Sequence, residues 1–152
     1  MKTQKPKVEV RWIDDDDPTV VANISQLHFG KRGLTAKKVY AFIGRADHIP
    51  KILRIDGKTV GYLFYHLDRG LVLIEEIAVT QPRQGHGRRL IRHLLASLPK
   101  LRRSIAAIRV PETNLDAQLF FRKMGFKAFR VVKPRGKPPY YAMKFTVPSA
   151  RE

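Results

Sequence analysis

The sequence predicts a mixed α/β fold in which a predominantly antiparallel central sheet is flanked by helices. Three observations predict it. Between residues 52 and 79 three strand-like runs follow one another with only short turns between them, the spacing of hairpins. Beyond residue 85, helical periodicity alternates with further strands. The run Leu71–Val79 is almost continuously apolar, as a strand covered on both faces should be. With 152 residues, 43% of them apolar, the chain is sized for one domain around one core.

The elements follow in order. Residues 7–13 alternate weakly, with Val8, Val10 and Trp12 on one side, and read as a first strand. Asp14, Asp15, Asp16, Asp17 and Pro18 come next. Proline suits a first helical turn and carboxylates suit a helix N-terminus, so a helix over about 18–29 with a solvated acidic cap is expected. The aspartates lack the alternating spacing and closing Glu of a calcium loop. Thr35 can cap a second helix reaching Arg45, with Val39, Phe42 and Ile43 on one face.

Strands are expected over residues 52–55, 59–67 and 70–79. Gly57 and Gly70 supply the positive φ that their connecting turns require. Glu75 and Glu76 interrupt the third strand, a local conflict of the kind that marks function. Strand alternation would send them to opposite faces, leaving Glu76 to pair with an arginine. The turn Arg83-Gln84-Gly85-His86-Gly87 opens an amphipathic helix carrying Leu90, Ile91, Leu94, Leu95 and Leu98, which Pro99 ends. A strand over 104–110 follows. Thr113 with Asp116 resembles a capping box for a helix closed by Gly125. Residues 126–132 and 140–147 form a last strand pair across the basic stretch 133–139. The aromatics Trp12, Phe42, Phe64, Phe120, Phe126 and Phe129 are expected in the core.

Charge narrows the partners. Residues 1–79 hold 13 Lys+Arg and 10 Asp+Glu, whereas residues 80–152 hold 17 and 3. The second half therefore binds something anionic, and a polyphosphate cofactor, RNA or ribosome, and an acidic protein all qualify. Zero cysteines exclude a disulfide framework, a thiolate zinc site and a cysteine nucleophile. No apolar run approaches the roughly 18 residues of a membrane span and no secretory signal is visible, so a cytoplasmic protein is expected. Among the five histidines no pair has the i, i+4 spacing of a helical zinc site, and no metal is expected.

A strand, a Gly-x-Gly turn and a helix make an anion cradle, because glycine lets the backbone approach and free helix N–H groups point at a phosphate. Arg83, Arg88 and Arg89 add charge around Gly85 and Gly87. Leu90 stands where a dinucleotide fold would place its third glycine, and no Gly-Lys-Ser/Thr follows for a nucleotide triphosphatase loop.

Here the sequence resembles the GNAT superfamily of N-acetyltransferases. Ile77-Ala78-Val79 followed by Arg83–Arg88 resembles the central strand and pyrophosphate loop of that family. Asn114 followed by the stretch from Phe120 to Phe126 resembles its next signature. The spacing is most similar to ribosomal-protein alanine N-acetyltransferases and their protein N-terminal relatives. The resemblance makes residues 1–152 a single N-acetyltransferase domain with acetyl-CoA as cosubstrate. It places the cofactor on Ile77, Ala78, Val79, Arg83, Gln84, Gly85, His86, Gly87, Arg88 and Arg89, and near Asn114 and Phe121.

It further implies direct attack of a primary amine, of a protein or peptide, on the thioester. Glu75 would take the amine's proton and the N–H near Val79 would hold the oxyanion. Three positions depart from the family pattern, one of them Pro82, which stands where the loop usually carries an Arg or Gln. Arg109 stands where the alanine N-acetyltransferases carry their base, and Phe121 stands where most members carry a tyrosine acid. Tyr141 or Tyr140, and less directly Tyr65, could take over the acid's task. The alternative is a catalytically weak module of the same fold that binds acyl-CoA, or ribosome or RNA, through its basic half. Either a monomer or a homodimer is compatible with the sequence.

Overall fold

The structure, a computed structural model, describes residues 4–14 and 17–148. Its strands are β1 (Val8–Trp12), β2 (His48–Ile55), β3 (Lys58–Asp68), β4 (Leu71–Val79), β5 (Ile105–Pro111), β6 (Lys127–Val132) and β7 (Tyr140–Thr146). Its helices are α1 (Asp17–Phe29), α2 (Ala36–Ile43), α3 (His86–Ser97) and α4 (Leu115–Lys123), with a 3₁₀ turn over Gly30–Arg32. The strands form one seven-stranded sheet in the order β1-β2-β3-β4-β5-β7-β6. Every pairing is antiparallel except β4 with β5. The mixed, mainly antiparallel sheet read from the sequence is the sheet found.

Two cores sit on the two faces. Leu90, Ile91 and Leu94 of α3, Leu98 at its C-cap and Phe121 of α4 pack with Leu53, Leu63, Val72 and Ile108. Val21 and Ile24 of α1 and Val39 and Phe42 of α2 pack with Ile52, Tyr62, Phe64 and Ala78 on the other face. The α3/α4 layer and the α1/α2 layer are therefore separated by the sheet, and any opening in the sheet connects them.

Several local readings are corrected. The second strand starts at His48 rather than Ile52 and contains Pro50. Asn114, not Thr113, caps α4, its side chain accepting from the Ala117 N–H at 3.1 Å. Trp12 and Phe129 lie on the surface, 54% and 53% exposed, because β1 and β6 are the sheet's two edges. There the rings cover cation stems: Lys51 Nζ lies 5.5 Å from Trp12 and Lys144 Nζ 4.7 Å from Phe129.

The acidic run is also more than a solvated cap, though Asp15 and Asp16 lie outside the described residues. Asp17 is only 2% exposed. Its carboxylate accepts from Arg54 at 3.0 Å and from the Asp14 N–H at 2.6 Å, and the Asp17 N–H donates back to the Asp14 carbonyl at 3.0 Å. Arg11 approaches to 3.8 Å. The first turn of α1 is thus clamped onto β1 and β2, and this clamp fixes the layer that covers the α1/α2 face of the sheet.

Candidate functional site

The sheet opens where the parallel pair ends. β4 and β5 are in register only from Leu71 with Ile105 to Ile74 with Ile108. Beyond that, β5 continues against β7 and residues 76–79 of β4 pair only with β3. The β4 edge from Glu75 to Val79 therefore faces a wedge between two diverging strands, with unpaired peptide groups along it. Ile77, Ala78 and Val79 lie on this edge, as expected of residues that would pair with an extended ligand.

The loop and helix below the wedge form a cradle. Arg83 (φ 61°) and Gly85 (φ 79°) both take left-handed conformations, which turn the chain sharply into α3. Gly85 is the N-cap, and among the described residues no side-chain cap bonds the free N–H groups of the first turn. A Cβ on Gly87 would lie 3.3 Å from Phe120, so α4 packs against the backbone at this turn. Arg83, Gln84, Arg88 and Arg89 are exposed around it. His86 has a buried Nδ1 without a hydrogen-bond partner, and burial and the nearby Arg89 lower its pKa. Free helix amides and guanidinium groups lie together at this turn, which is the donor set a diphosphate needs.

The two carboxylates share one face, contrary to simple alternation. Phe64 pairs with Glu76 and Tyr65 with Ile74, leaving Glu75 as the extra residue of a β-bulge. Ile74 and Ile77 both point into the α3/α4 core, and both glutamates between them project toward α1 and α2. Glu75 Oε1 lies 2.6 Å from His66 Nδ1, and the Glu75 side chain is 41% exposed. Glu76 pairs with no arginine. It accepts from the Tyr62 hydroxyl at 2.5 Å and from the Ser25 hydroxyl at 3.4 Å.

Burial raises the pKa of Glu76, the hydrogen bonds from Tyr62 and Ser25 oppose the rise, and Glu75 adds to it while Lys38 opposes it. A raised folded-state value means that the folded protein holds a proton the unfolded chain has released. Stability from this site is greatest below the ordinary carboxylate range and declines as pH rises through the elevated value. Glu76→Gln, which keeps the shape without the charge, is expected to raise the melting temperature at neutral pH and to flatten its dependence between about pH 4 and 7. Melting curves across that range check it.

The tyrosines divide between the faces. Tyr141 packs with the α3/α4 core and lines, with Leu115, Leu119, Phe126 and Met143, a cavity of about 630 Å³ beside α4. It lies opposite Val110, two residues past the end of the parallel ladder. Its neighbour Tyr140 is on the carboxylate face, 5.8 Å from the Arg109 guanidinium. Tyr65 is 2% exposed inside the α3/α4 core, where burial pushes its hydroxyl up to about 12. Phe121 is likewise buried, edge-on to Phe120 and Phe126 at 5.0 and 5.2 Å. Asn114 caps α4, and Phe121 packs in the core beneath it.

Sequence reasoning missed His66 and Tyr62. Both are β3 residues facing the carboxylates across the bulge, and only the register of β3 with β4 reveals them. It also tested histidine pairs on helices alone, whereas antiparallel pairing sets His48 opposite His66.

Comparison with known proteins agrees with this geometry. No curated protein sequence matches the chain. Among solved structures, the chain is similar to the ribosomal-protein-S18-alanine N-acetyltransferase from Escherichia coli. The TM-score is 0.80 at 18% identity, covering 95% of this chain and 96% of that one. It is similar to yncA from Salmonella typhimurium, a putative acetyltransferase solved with its cofactor acetyl-CoA, with a TM-score of 0.75, 15% identity and coverages of 95% and 96%. It is also similar to Arabidopsis thaliana Naa50 in complex with the bisubstrate analogue CoA-Ac-MVNAL, with a TM-score of 0.73, 21% identity and coverages of 91% and 98%. Among the described residues no helix is long and apolar enough to cross a membrane. The sequence profile of the acetyltransferase (GNAT) family matches residues 10–126, and the chain belongs to that family.

Proposed function

We propose that the chain transfers an acetyl group from acetyl-CoA to a primary amine of a protein or peptide. The observation that carries this reading is the end of the β4–β5 ladder at Ile74 and Ile108. It opens a slot from the cationic loop on the α3 side to the carboxylate pair on the α1/α2 side. A diphosphate would lie on Arg83, Arg88, Arg89 and the first amides of α3. The arm between diphosphate and thioester would run along Ile77–Val79.

The residues then divide the work. The amine comes from the α1/α2 face and attacks the thioester carbonyl, forming the new C–N bond. The N–H near Val79 stabilises the oxyanion. Glu75, exposed and adjacent to His66, takes the proton the amine releases. The C–S bond breaks, and Tyr141, on the cofactor side with the residue that replaces the usual acid, protonates the departing thiolate. The products are the amide and free CoA. Glu76, held by Tyr62 and Ser25, keeps the base's flank polar and fixed.

The acceptor is inferred to carry acidic residues. Lys38 acts on Glu76, and Arg109 lies beside Tyr140 on the same face, so a polycationic acceptor would be repelled and an acidic segment attracted. A second reading has one specific observation behind it. Phe121 is buried and has no proton to give, which fits a weakly catalytic module that binds acyl-CoA, or RNA or ribosome, through the basic half.

Acetyl transfer to a panel of acidic and basic peptides separates the two readings. Turnover favouring acidic N-termini is expected, and acyl-CoA binding without turnover on any peptide would support the module instead. Tyr141→Phe is expected to lower kcat by about 10²-fold or more with KM for acetyl-CoA unchanged, and Tyr140→Phe to leave kcat within a few-fold of the parent. The reverse pattern would move the acid to Tyr140.

A further inference from the structure

Three of the groups just described also meet in a way that acetyl transfer does not require. His48 and His66 are register partners on β2 and β3, and their rings lie 5.0 Å apart. The bulge in β4 adds Glu75 on the same face. One ligand-capable atom from each of His48, His66 and Glu75 lies within 4.8 Å of the others. We propose that His48, His66 and Glu75 form a binding site for a divalent transition-metal ion of the zinc class.

Two details support a metal rather than a chance cluster. His66 Nδ1 is buried and makes no aligned hydrogen bond, although Glu75 Oε1 stands only 2.6 Å away. A buried nitrogen beside a carboxylate, without an aligned hydrogen bond, is a pair of ligand atoms that a shared cation would satisfy once they move apart. His48 Nδ1 lies 2.9 Å from the Ala46 carbonyl. Donation of the Nδ1 proton there leaves Nε2 with its lone pair, the backbone-carbonyl arrangement by which metal-binding histidines are oriented.

The donor set of two imidazoles and one carboxylate suits zinc, cobalt or nickel, and not calcium or magnesium. Glu75 is partly exposed, so one coordination position stays open to water, as in three-ligand zinc sites. On binding, the His66–Glu75 gap must widen, because ligands about 2.1 Å from one zinc ion sit about 3.3 Å apart in a tetrahedron. The chain's charge of +17 works against any cation.

The bulge that brings Glu75 to the amine thus also brings it within reach of a metal. If Glu75 is the base proposed above, a bound ion occupies it and arrests transfer. Metal binding itself does not depend on that assignment.

The test is calorimetric titration of zinc chloride into the untagged, chelator-treated full chain, with cobalt chloride as the spectroscopic probe. One ion per chain is expected, with visible d–d absorption characteristic of four- or five-coordinate cobalt. His48→Ala and His66→Gln should each weaken zinc binding at least tenfold, while His28→Ala and His93→Ala leave it unchanged. Circular dichroism and melting of the metal-free variants verify that each is folded. Absence of binding, or binding indifferent to both His48→Ala and His66→Gln, overturns the site. Binding that leaves acetyl transfer undiminished supports the metal site and removes Glu75 from the base's role.

Discussion

Glu75→Gln is expected to lower kcat/KM for acetyl transfer by about 10²–10⁴-fold while leaving the affinity for acetyl-CoA unchanged. The size follows from the chemistry. A protonated amine is no nucleophile, and the proton released on attack needs an acceptor within reach of the slot. Glu75 meets that need because the bulge turns it to the face from which an amine would come and leaves it partly exposed beside His66. Glutamine fills the same volume and keeps an acceptor oxygen, so loss of rate without loss of cofactor binding isolates the proton transfer.

The neighbour supplies the control. Glu76 is engaged by Tyr62 and Ser25, so Glu76→Gln should change kcat/KM by much less. Steady-state kinetics of both variants across pH decide. If Glu75→Gln is silent and Glu76→Gln abolishes the rising limb of the pH profile, the base is the buried carboxylate.

Asp17→Asn is expected to cost about 3 kcal/mol of folding stability, read from urea denaturation. Asp17 is nearly inaccessible and accepts from Arg54 and the Asp14 amide. Removing its charge leaves the Arg54 guanidinium, with its unpartnered buried Nε, without its counter-ion. Breaking one side of a buried pair is far more damaging than replacing both sides with apolar groups. Asp17→Asn combined with Arg54→Met should therefore recover part of the loss. A loss below about 0.5 kcal/mol for the single variant would show that the clamp contributes no more than a surface pair.

The architecture was legible wherever periodicity and turn chemistry agreed. The hairpins at Gly57 and Gly70, the helix after Gly87 and the cradle of Arg83, Gly85, Arg88 and Arg89 all follow from local sequence. Three features were not legible, each for a physical reason. The faces of Glu75 and Glu76 depend on a bulge, and one inserted residue reverses every later assignment of face. The burial of Asp17 depends on Arg54 from a strand 37 positions away, a partner that no window of sequence contains. Trp12 and Phe129 looked like core because composition does not say which strands are edges. The split of Tyr140 and Tyr141 between two faces was implicit in alternation, but which of them packs on the α3/α4 core required those helices in place.

The central claim is that the wedge beside β4 and the turn before α3 together grip coenzyme A. Isothermal titration of coenzyme A into the intact chain tests it most directly. A one-to-one binding heat with micromolar affinity is predicted, weakening as salt rises because guanidinium groups carry much of the contact. Replacing Arg88 and Arg89 together with Gln should weaken it at least tenfold. No heat at any salt concentration, from a chain shown to be folded, would contradict the claim.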